Sequence, residues 1–156
     1  MARPQPDEKA PNFTLVSDRR GTISLSDFRG QAVVIYFYPK DDTSGCTKEA
    51  IEFSQLQSRF DAINTQVIGI SPDSIEKHAK FRTKHNITVE LASDQDKTVL
   101  EDYGVWVEKS MYGRKYMGVE RTTFLIDKDG RVVQVWNKVK VAGHAQVVLE
   151  AAERLN

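Results

Sequence analysis

Cysteine is nearly absent from the sequence, which contains only one, Cys46, among 156 residues. A single cysteine excludes an intramolecular disulfide framework. Unpaired thiols are typical of proteins that work in a reducing compartment. We therefore expect the protein to be cytoplasmic.

Long apolar runs and an excess of either charge are also missing. The longest apolar run is far shorter than the roughly 20 residues of a membrane-spanning helix, and the N-terminus lacks the apolar core of a signal peptide. Lysine plus arginine and aspartate plus glutamate number 22 each, so the formal net charge is zero. A neutral chain gives no reason to expect nucleic acid or an anionic membrane as a partner.

The length and composition predict one globular domain that spans residues 1–156. A chain of this length can bury a hydrophobic core, and 40% hydrophobic with 28% charged residues is typical of a soluble protein. The sequence shows no internal repeat, low-complexity segment or interdomain linker. Residues 1–11 contain three of the five prolines, and we expect them to form a loose N-terminal tail.

The most informative stretch is a predicted strand, loop and helix over residues 32–60. Residues 32–38 are mainly β-branched or aromatic, which favours a strand buried on both faces. Pro39 ends this strand because it cannot donate to a β-ladder. Apolar residues then recur at helical spacing after Ser44, which we expect to be the N-cap. Cys46 is therefore predicted to lie in the first turn of a helix.

Cys46 is thus placed where a helix stabilises negative charge. Unpaired backbone N–H groups and the positive end of the helix dipole favour the thiolate, which is the reactive form of cysteine. Thr43 supplies a hydroxyl three residues earlier. Acidic neighbours would oppose a thiolate, so we expect them to point away or to be paired with cations: Asp41, Asp42 and Glu49.

A structural role for Cys46 is the competing interpretation, since an isolated cysteine is most often a small buried hydrophobic residue. Its place at a helix start and its polar surroundings favour a chemical role. Local physical chemistry leaves both interpretations open.

The pattern Pro39-x-x-x-Thr43-x-x-Cys46 resembles the active-site motif of the peroxiredoxins. The flanking residues resemble the bacterioferritin-comigratory (PrxQ) branch of that family, and the similarity extends over nearly the whole chain. It continues in order through four further blocks, at residues 68–71, 91–94, 103–106 and 121–127.

The resemblance implies a role for four residues. Cys46 would be the peroxidatic cysteine, which a hydroperoxide converts to sulfenic acid. Thr43 would hydrogen-bond the peroxide and the sulfur, and Arg121 would stabilise the thiolate and the charge of the transition state. Pro39 would shield the sulfur and shape the pocket. For Arg121, a structural ion pair is the alternative role. These roles suit attack on an O–O bond, which needs an activated thiol and donors aimed at developing negative charge.

The sequence departs from this branch in lacking a second, resolving cysteine. Many members carry one five residues after the first, where this chain has Ile51, and others carry it in the region of residues 80–84, where this chain has none. An external thiol must then resolve the sulfenic acid: thioredoxin, glutaredoxin or a low-molecular-weight thiol. Because no internal disulfide has to form, we expect the helix of Cys46 to unwind less than in such relatives. The resemblance also implies a monomer, and we expect neither a cofactor nor a metal.

The remaining pattern predicts an α/β protein with a thioredoxin-like fold, in which helices flank a central mixed β-sheet and a β-hairpin stands at the N-terminus. Strands are expected in the regions 13–25, 66–71, 88–91 and 121–136, and helices in the regions 75–85, 98–103 and after 143. Residues 105–119 form the least regular section, and we expect a packed loop close to the site.

Three functional hypotheses remain. The first is a thiol peroxidase that acts on hydrogen peroxide and organic hydroperoxides. The second is a peroxide sensor or thiol-disulfide relay protein that uses Cys46, and the third is a binding module with an inert cysteine. A Cys-His hydrolase is disfavoured because the histidines, His78, His85 and His144, follow no catalytic pattern. His78 and His85 are expected to be solvated or partly buried helix residues. A metal site is also disfavoured, since the sequence shows no cluster with ligand spacing.

Overall fold

The structure is a computed structural model that describes residues 3–155. Over this range the chain forms nine β-strands and five α-helices. The strands are β1 (Thr14–Ser17), β2 (Gly21–Ser24), β3 (Ala32–Phe37), β4 (Thr65–Ser71), β5 (Glu90–Ser93), β6 (Trp106–Met111), β7 (Arg114–Val119), β8 (Thr122–Ile126) and β9 (Val132–Trp136). The helices are α1 (Ser44–Gln55), α2 (Gln57–Ala62), α3 (Ile75–His85), α4 (Thr98–Asp102) and α5 (His144–Glu153).

Seven strands form one mixed sheet in the order β2-β1-β5-β4-β3-β8-β9. The neighbours β3, β4 and β5 run parallel because helices connect them, whereas β8 pairs antiparallel with both β3 and β9. At the N-terminus, β1 and β2 form an antiparallel hairpin. The predicted mixed sheet, its flanking helices and the N-terminal hairpin are therefore confirmed.

The central strand β3 is buried on both faces, as its composition predicts. Its side chains alternate between two hydrophobic clusters, one on each face of the sheet. Val33, Ile35 and Phe37 join the cluster that α4 covers. Val34 and Tyr36 join the cluster that α1, α2, α3 and α5 cover, which also contains Cys46. The side chains of β3 thus pack in the cluster that contains Cys46, and the loop before α1 follows the end of this strand.

The expected loose tail is wrong for the part of it that the structure describes, residues 3–11. Backbone hydrogen bonds join Asp7 N to Val132 O at 2.8 Å and Ala10 N to Gly130 O at 2.9 Å, so the segment follows the edge strand β9. The guanidinium of Arg3 donates to Gly104 O at 2.8 Å and to Glu120 at 2.7 Å. The prolines suit such an edge position, where N–H groups are not all needed. Residues 1 and 2 lie outside the described range.

The predicted loop at residues 105–119 is wrong as well, because β6 and β7 form a separate antiparallel hairpin there. Its far end is exposed rather than packed, with Tyr112 98% and Met111 56% accessible to solvent. Its base leads into Glu120 and Arg121. Among the helices of residues 3–155, none has both the length and the apolar character needed to cross a membrane.

Candidate active site

Cys46 is the third residue of α1, in the first turn as predicted. The N-cap is Thr43, one residue earlier than expected, and its carbonyl accepts the Thr47 N–H at 2.8 Å. Cys46 is only 1% exposed and belongs to the buried cluster of Tyr36 and Phe53. The burial expected of a structural cysteine is therefore present, together with a polar contact that such a cysteine does not need.

That contact comes from Arg121, whose Nη2 donates to Cys46 Sγ at 3.3 Å. The sheet register places this arginine, because Phe37 at the end of β3 pairs with Thr122 at the start of β8. Arg121 therefore stands beside the loop that carries the chain from β3 to α1. A Cβ at Gly45 would lie 3.2 Å from Nη2, so a glycine there gives the guanidinium close access to the first turn. A fixed guanidinium at this distance stabilises a thiolate.

Glu49 is paired with a cation, which is one of the two arrangements expected for the acidic residues near Cys46. It lies one turn after Cys46, is 1% exposed, and its Oε1 accepts a hydrogen bond from Arg121 Nη1 at 2.7 Å. Arg121 thus bridges the thiol and the carboxyl group of one helix face. The three-residue spacing from Cys46 was the available signal, since residues three apart on a helix are neighbours.

Burial affects the pKa values of both Glu49 and Arg121. Loss of hydration raises the pKa of Glu49 to about 7, although the charge and the hydrogen bond of Arg121 oppose the rise. Burial works against the charged form of Arg121, yet the neighbouring Glu49 and Cys46 raise its pKa above the ordinary value. Arg121 is therefore a permanent cation that faces two groups able to become anions.

Thr43 and Pro39 stand close in the chain but contribute differently to the observed geometry. The Thr43 hydroxyl donates to Lys40 O at 2.8 Å, which uses its only proton. Its oxygen can still accept a hydrogen bond, whereas donation to a substrate requires the hydroxyl to rotate. Pro39 lies two residues after the end of β3, is partly buried, and belongs to the loop that leads to α1.

The other acidic residues of the loop are paired away from the sulfur, as expected. Asp42 accepts from Lys84 Nζ and lies 2.8 Å from His85 Nε2, and these contacts lower its pKa. Asp41 is buried, accepts from the Tyr38 hydroxyl at 2.6 Å, and lies 2.6 Å from His78 Nδ1. Both carboxylates of the loop thus have partners on other side chains, and Glu49 has Arg121.

His78 is fully buried, which corrects the expectation of a solvated or partly buried residue. Its Nε2 lies 3.0 Å from Ala92 O, and its other ring nitrogen faces Asp41. The fold also brings Asp41, Asp73 and His78 within 4.8 Å of one another, a cluster that sequence spacing did not reveal. Asp73 accepts from Asp41 N and from Ser71 Oγ, so this cluster fastens the loop before α1 to α3.

His144 is buried and does not serve as a base for Cys46. Its Nε2 lies 2.8 Å from the Thr123 hydroxyl, and burial, with a contribution from the charge of Arg121, lowers its pKa to about 4. Within residues 3–155, the hydrogen-bond partner of Cys46 Sγ is Arg121 and no histidine. This geometry disfavours a Cys-His hydrolase.

Known proteins are similar to this chain in both sequence and fold. Residues 6–135 match the AhpC/TSA family. A putative peroxiredoxin bcp of Coxiella burnetii is 51% identical over 142 residues, which cover 91% of this chain and 94% of the relative. The peroxiredoxin Bcp of Bacillus subtilis is 44% identical over 149 residues, with 96% and 95% of the two chains covered.

The structural comparison leads to the same group of proteins. A mutant of Xanthomonas campestris peroxiredoxin Q has a TM-score of 0.88 at 41% identity, with 92% of each chain covered. A bacterioferritin comigratory protein of the same organism, studied for its alkyl peroxide reduction activity, has a TM-score of 0.87 at 41% identity and covers 91% of this chain. These matches confirm the predicted thioredoxin-like fold.

Proposed function

The chain belongs to the AhpC/TSA family and is a peroxiredoxin of the Bcp (PrxQ) type, and from this premise we propose a one-cysteine catalytic cycle for it. As a peroxiredoxin it is an enzyme, a hydroperoxide reductase that uses thiol reductants. In the proposed cycle, Cys46 reduces hydrogen peroxide and organic hydroperoxides through a sulfenic acid, which an external thiol then resolves.

The observation that carries the proposal is the contact between Cys46 Sγ and the Arg121 guanidinium, at 3.3 Å and in a buried site. A cation that cannot lose its proton stabilises the thiolate and remains in place for the charge that develops in the transition state. The first turn of α1 adds backbone N–H groups that have no partner within the helix. Cys46 and Arg121 are therefore proposed as the central catalytic residues.

In the first step, the Cys46 thiolate attacks one oxygen of the hydroperoxide. An S–O bond forms while the O–O bond breaks, and the leaving oxygen takes a proton to become an alcohol, or water when the substrate is hydrogen peroxide. The sulfur is oxidised to sulfenic acid and the peroxide is reduced. Thr43 is proposed to accept a hydrogen bond from the hydroperoxide, and Pro39 to limit water access to the sulfur.

The second step uses two thiol groups of the external reductant, from two molecules of a monothiol or one molecule of a dithiol. The first condenses with the sulfenic acid, so that a mixed disulfide forms and water leaves. The second attacks the mixed disulfide, which restores the Cys46 thiol and releases the oxidised reductant as a disulfide. The sequence supports this route because Cys46 is the only cysteine. The Xanthomonas peroxiredoxin Q, by contrast, has been studied with mutations at two different cysteines.

The same proposal covers the substrates, the compartment, the reductant and the assembly of the protein. Organic hydroperoxides are included among the substrates because the Xanthomonas relative was studied for alkyl peroxide reduction. The single unpaired cysteine supports a reducing compartment such as the cytoplasm and a reductant found there, either thioredoxin, glutaredoxin or a small thiol. We also propose that the chain works as one domain and as a monomer.

A steady-state assay with Cys46→Ser tests the proposal. The wild-type protein should consume hydroperoxide in proportion to added thiol, and intact-mass analysis should show one added oxygen after peroxide treatment without thiol. The Cys46→Ser variant should lose both signals. Retained activity in this variant would rule out the cycle. Slow turnover with small thiols, combined with rapid mixed-disulfide formation with one protein, would favour the relay function instead.

A further inference from the structure

A cleft beside the site combines several lysines with an aromatic residue. It has a volume of about 210 Å³ and lies between the loop before α1 and the face of α3. Lys77, Lys80 and Lys84 line it from α3, at spacings that place them on one helix face. Lys40 lines it from the loop, and the buried Phe81 lies at its wall. We call this feature the lysine cleft.

Carboxylates also line the lysine cleft, but each already has partners. Asp42 is bound by Lys84 and His85. Asp73 accepts from the backbone N–H of Asp41 and from Ser71 Oγ. Within residues 3–155, no ion pair occupies Lys40, Lys77 or Lys80. The cleft therefore presents free ammonium groups to a ligand.

The third carboxylate, Asp41, adds no net negative charge. Ala92 O can only accept, so His78 Nε2 carries a proton at this 3.0 Å contact. A second proton must lie between His78 Nδ1 and Asp41, because two bare acceptors would repel each other at 2.6 Å. The Asp41 and His78 pair is then neutral as a unit, wherever that proton resides. Four lysines then face the two remaining carboxylates, Asp42 and Asp73, which leaves the lysine cleft positive.

The lysine cleft adjoins the Cys46 helix. The Lys40 carbonyl accepts from Thr43, the N-cap of α1, so the cleft wall continues directly into the first turn. Phe81 belongs to the same buried cluster as Cys46. An anion held in this cleft would be concentrated beside the turn that must open before a thiol from outside can reach the buried sulfur.

We propose that the lysine cleft binds the reducing thiol, and that this reductant is a small molecule with carboxylate groups. This inference rests on the proposed one-cysteine cycle. The ammonium groups bind the carboxylates, and the thiol stays free to condense with the Cys46 sulfenic acid. The volume suits a small molecule rather than a protein surface.

The test compares thiols of different charge as reductants of the sulfenic acid formed in advance with hydrogen peroxide. The probes are mercaptosuccinate, which carries two carboxylates, neutral 2-mercaptoethanol and cationic cysteamine. Each is used with the wild-type protein, with Lys77→Gln/Lys80→Gln, and with a control that loses two distant lysine charges, Lys115→Gln/Lys128→Gln. Rates are expressed as the ratio of variant to wild type for each thiol, which removes differences in intrinsic thiol reactivity.

The cleft variant should react about fivefold more slowly with mercaptosuccinate at low ionic strength. Its rate should be unchanged with 2-mercaptoethanol and slightly raised with cysteamine. The control should match the wild type with all three thiols. Equal mercaptosuccinate rates in the cleft variant and the wild type would overturn the inference while leaving the cycle intact. Failure of the wild type to form sulfenic acid would instead contradict the proposed function itself.

Discussion

Arg121 contacts two acidic groups that belong to one turn of α1. Its Nη2 donates to Cys46 Sγ and its Nη1 to Glu49 Oε1. A lysine could not reproduce this arrangement, since its single ammonium lacks the planar fork of donors. The guanidinium therefore has a contact with the sulfur, which we propose to be catalytic, and a structural contact with a buried carboxyl group, and mutagenesis can separate the two.

Arg121→Gln should lower kcat/KM for hydroperoxide by about 100-fold, because it removes the cation from the reacting sulfur. It should also lower the free energy of unfolding by about 3 kcal/mol, because it leaves Glu49 buried without its cation. The double variant Arg121→Gln/Glu49→Gln should recover most of the stability and none of the activity. Peroxidase assays and urea unfolding of the same preparations measure both effects. Recovery of activity in the double variant would contradict a direct role for Arg121.

Glu49 should make the protein less stable as the pH rises. Its pKa is about 7 in the folded protein, above the ordinary value of 4.5. The folded state therefore holds a proton that the unfolded state releases, so stability is full below pH 4.5 and is lost as the pH rises to 7. The loss is at most about 3 kcal/mol.

Urea unfolding across this range measures that loss for the wild type and for Glu49→Gln, which keeps an oxygen acceptor for Arg121. The difference between the two curves isolates Glu49 from Asp94 and His144, whose pKa values are also shifted by burial. The variant should show a flatter dependence on pH. Parallel curves for the two proteins would show that Glu49 does not titrate in this range.

At the scale of residues, prediction succeeded within the strand, loop and helix of residues 32–60. It failed for contacts between segments that are distant in sequence. The first-turn position of Cys46 follows from local spacing and is observed. The pairing of the acidic residues near the sulfur was expected from electrostatics, but their partners were not. His78 was misjudged because its burial depends on Asp41 and Ala92, which other elements supply. Local sequence does not encode such contacts.

At the scale of elements, the first turn of α1 holds the sulfur that we propose to be reactive in a buried position. Cys46 is 1% exposed, so an external thiol reaches it only when this turn opens. Thr43 makes no side-chain cap to the described helix, which leaves the turn easier to open than a capped one. In the proposed cycle a brief opening suffices, because the thiol comes to the sulfur and no internal disulfide holds the open form.

Oxidation to sulfenic acid should therefore cause little loss of hydrogen-exchange protection in residues 45–52. The matched control is Ile51→Cys, which introduces a second cysteine five residues after Cys46. Two cysteines at this helical spacing cannot join without unwinding the helix between them, so the oxidised variant should lose protection across the same residues. Exchange is measured on reduced and oxidised samples of both proteins. A large loss in the oxidised wild type would refute the expectation of reduced unwinding.

Elements with strong local signals were predicted well, and one with a mixed pattern was not. The helix α3 has the Ser74 cap, which accepts from Lys77 N, and ends at Asn86 in the left-handed conformation. By contrast, β6 and β7 lack a clean alternation because both faces of their outer part are exposed. Their turn places Tyr112 and Gly113 at positive φ. A tyrosine seldom adopts that conformation, so the turn carried no recognisable signal.

At the scale of the whole molecule, residues 3–11 connect parts of the chain that are far apart in sequence. Lys9 and Arg131 form an isolated antiparallel β-bridge through their backbones, and Val132 N donates to Glu8 O at 2.9 Å. This segment therefore adds to the outer edge of the sheet. Covering an edge strand in this way satisfies backbone groups that would otherwise be open to other chains. The proline content of this segment led to the prediction of a loose tail. Composition indicates that a segment lacks regular secondary structure, but it does not show which distant residues anchor that segment.

Arg3 should be the main anchor of this segment. It is partly buried and donates to Gly104 O, to Glu120 and to Asn137. Gly104 precedes β6, Glu120 follows β7, and Asn137 follows β9. Glu120 directly precedes Arg121, so the anchor supports the backbone that carries the proposed catalytic guanidinium. Arg3→Ala should lower the free energy of unfolding by about 2 kcal/mol, since charge-assisted hydrogen bonds would be lost and Glu120 would lose its cation.

Urea unfolding measures this effect, with Arg114→Ala as the control because Arg114 is exposed at the end of the hairpin. The control should unfold as the wild type does. Limited proteolysis adds a second readout, since Arg3→Ala should make residues 3–11 easier to cleave while the rest of the chain stays resistant. If the segment were the loose tail that composition suggests, both variants would match the wild type in stability and cleavage.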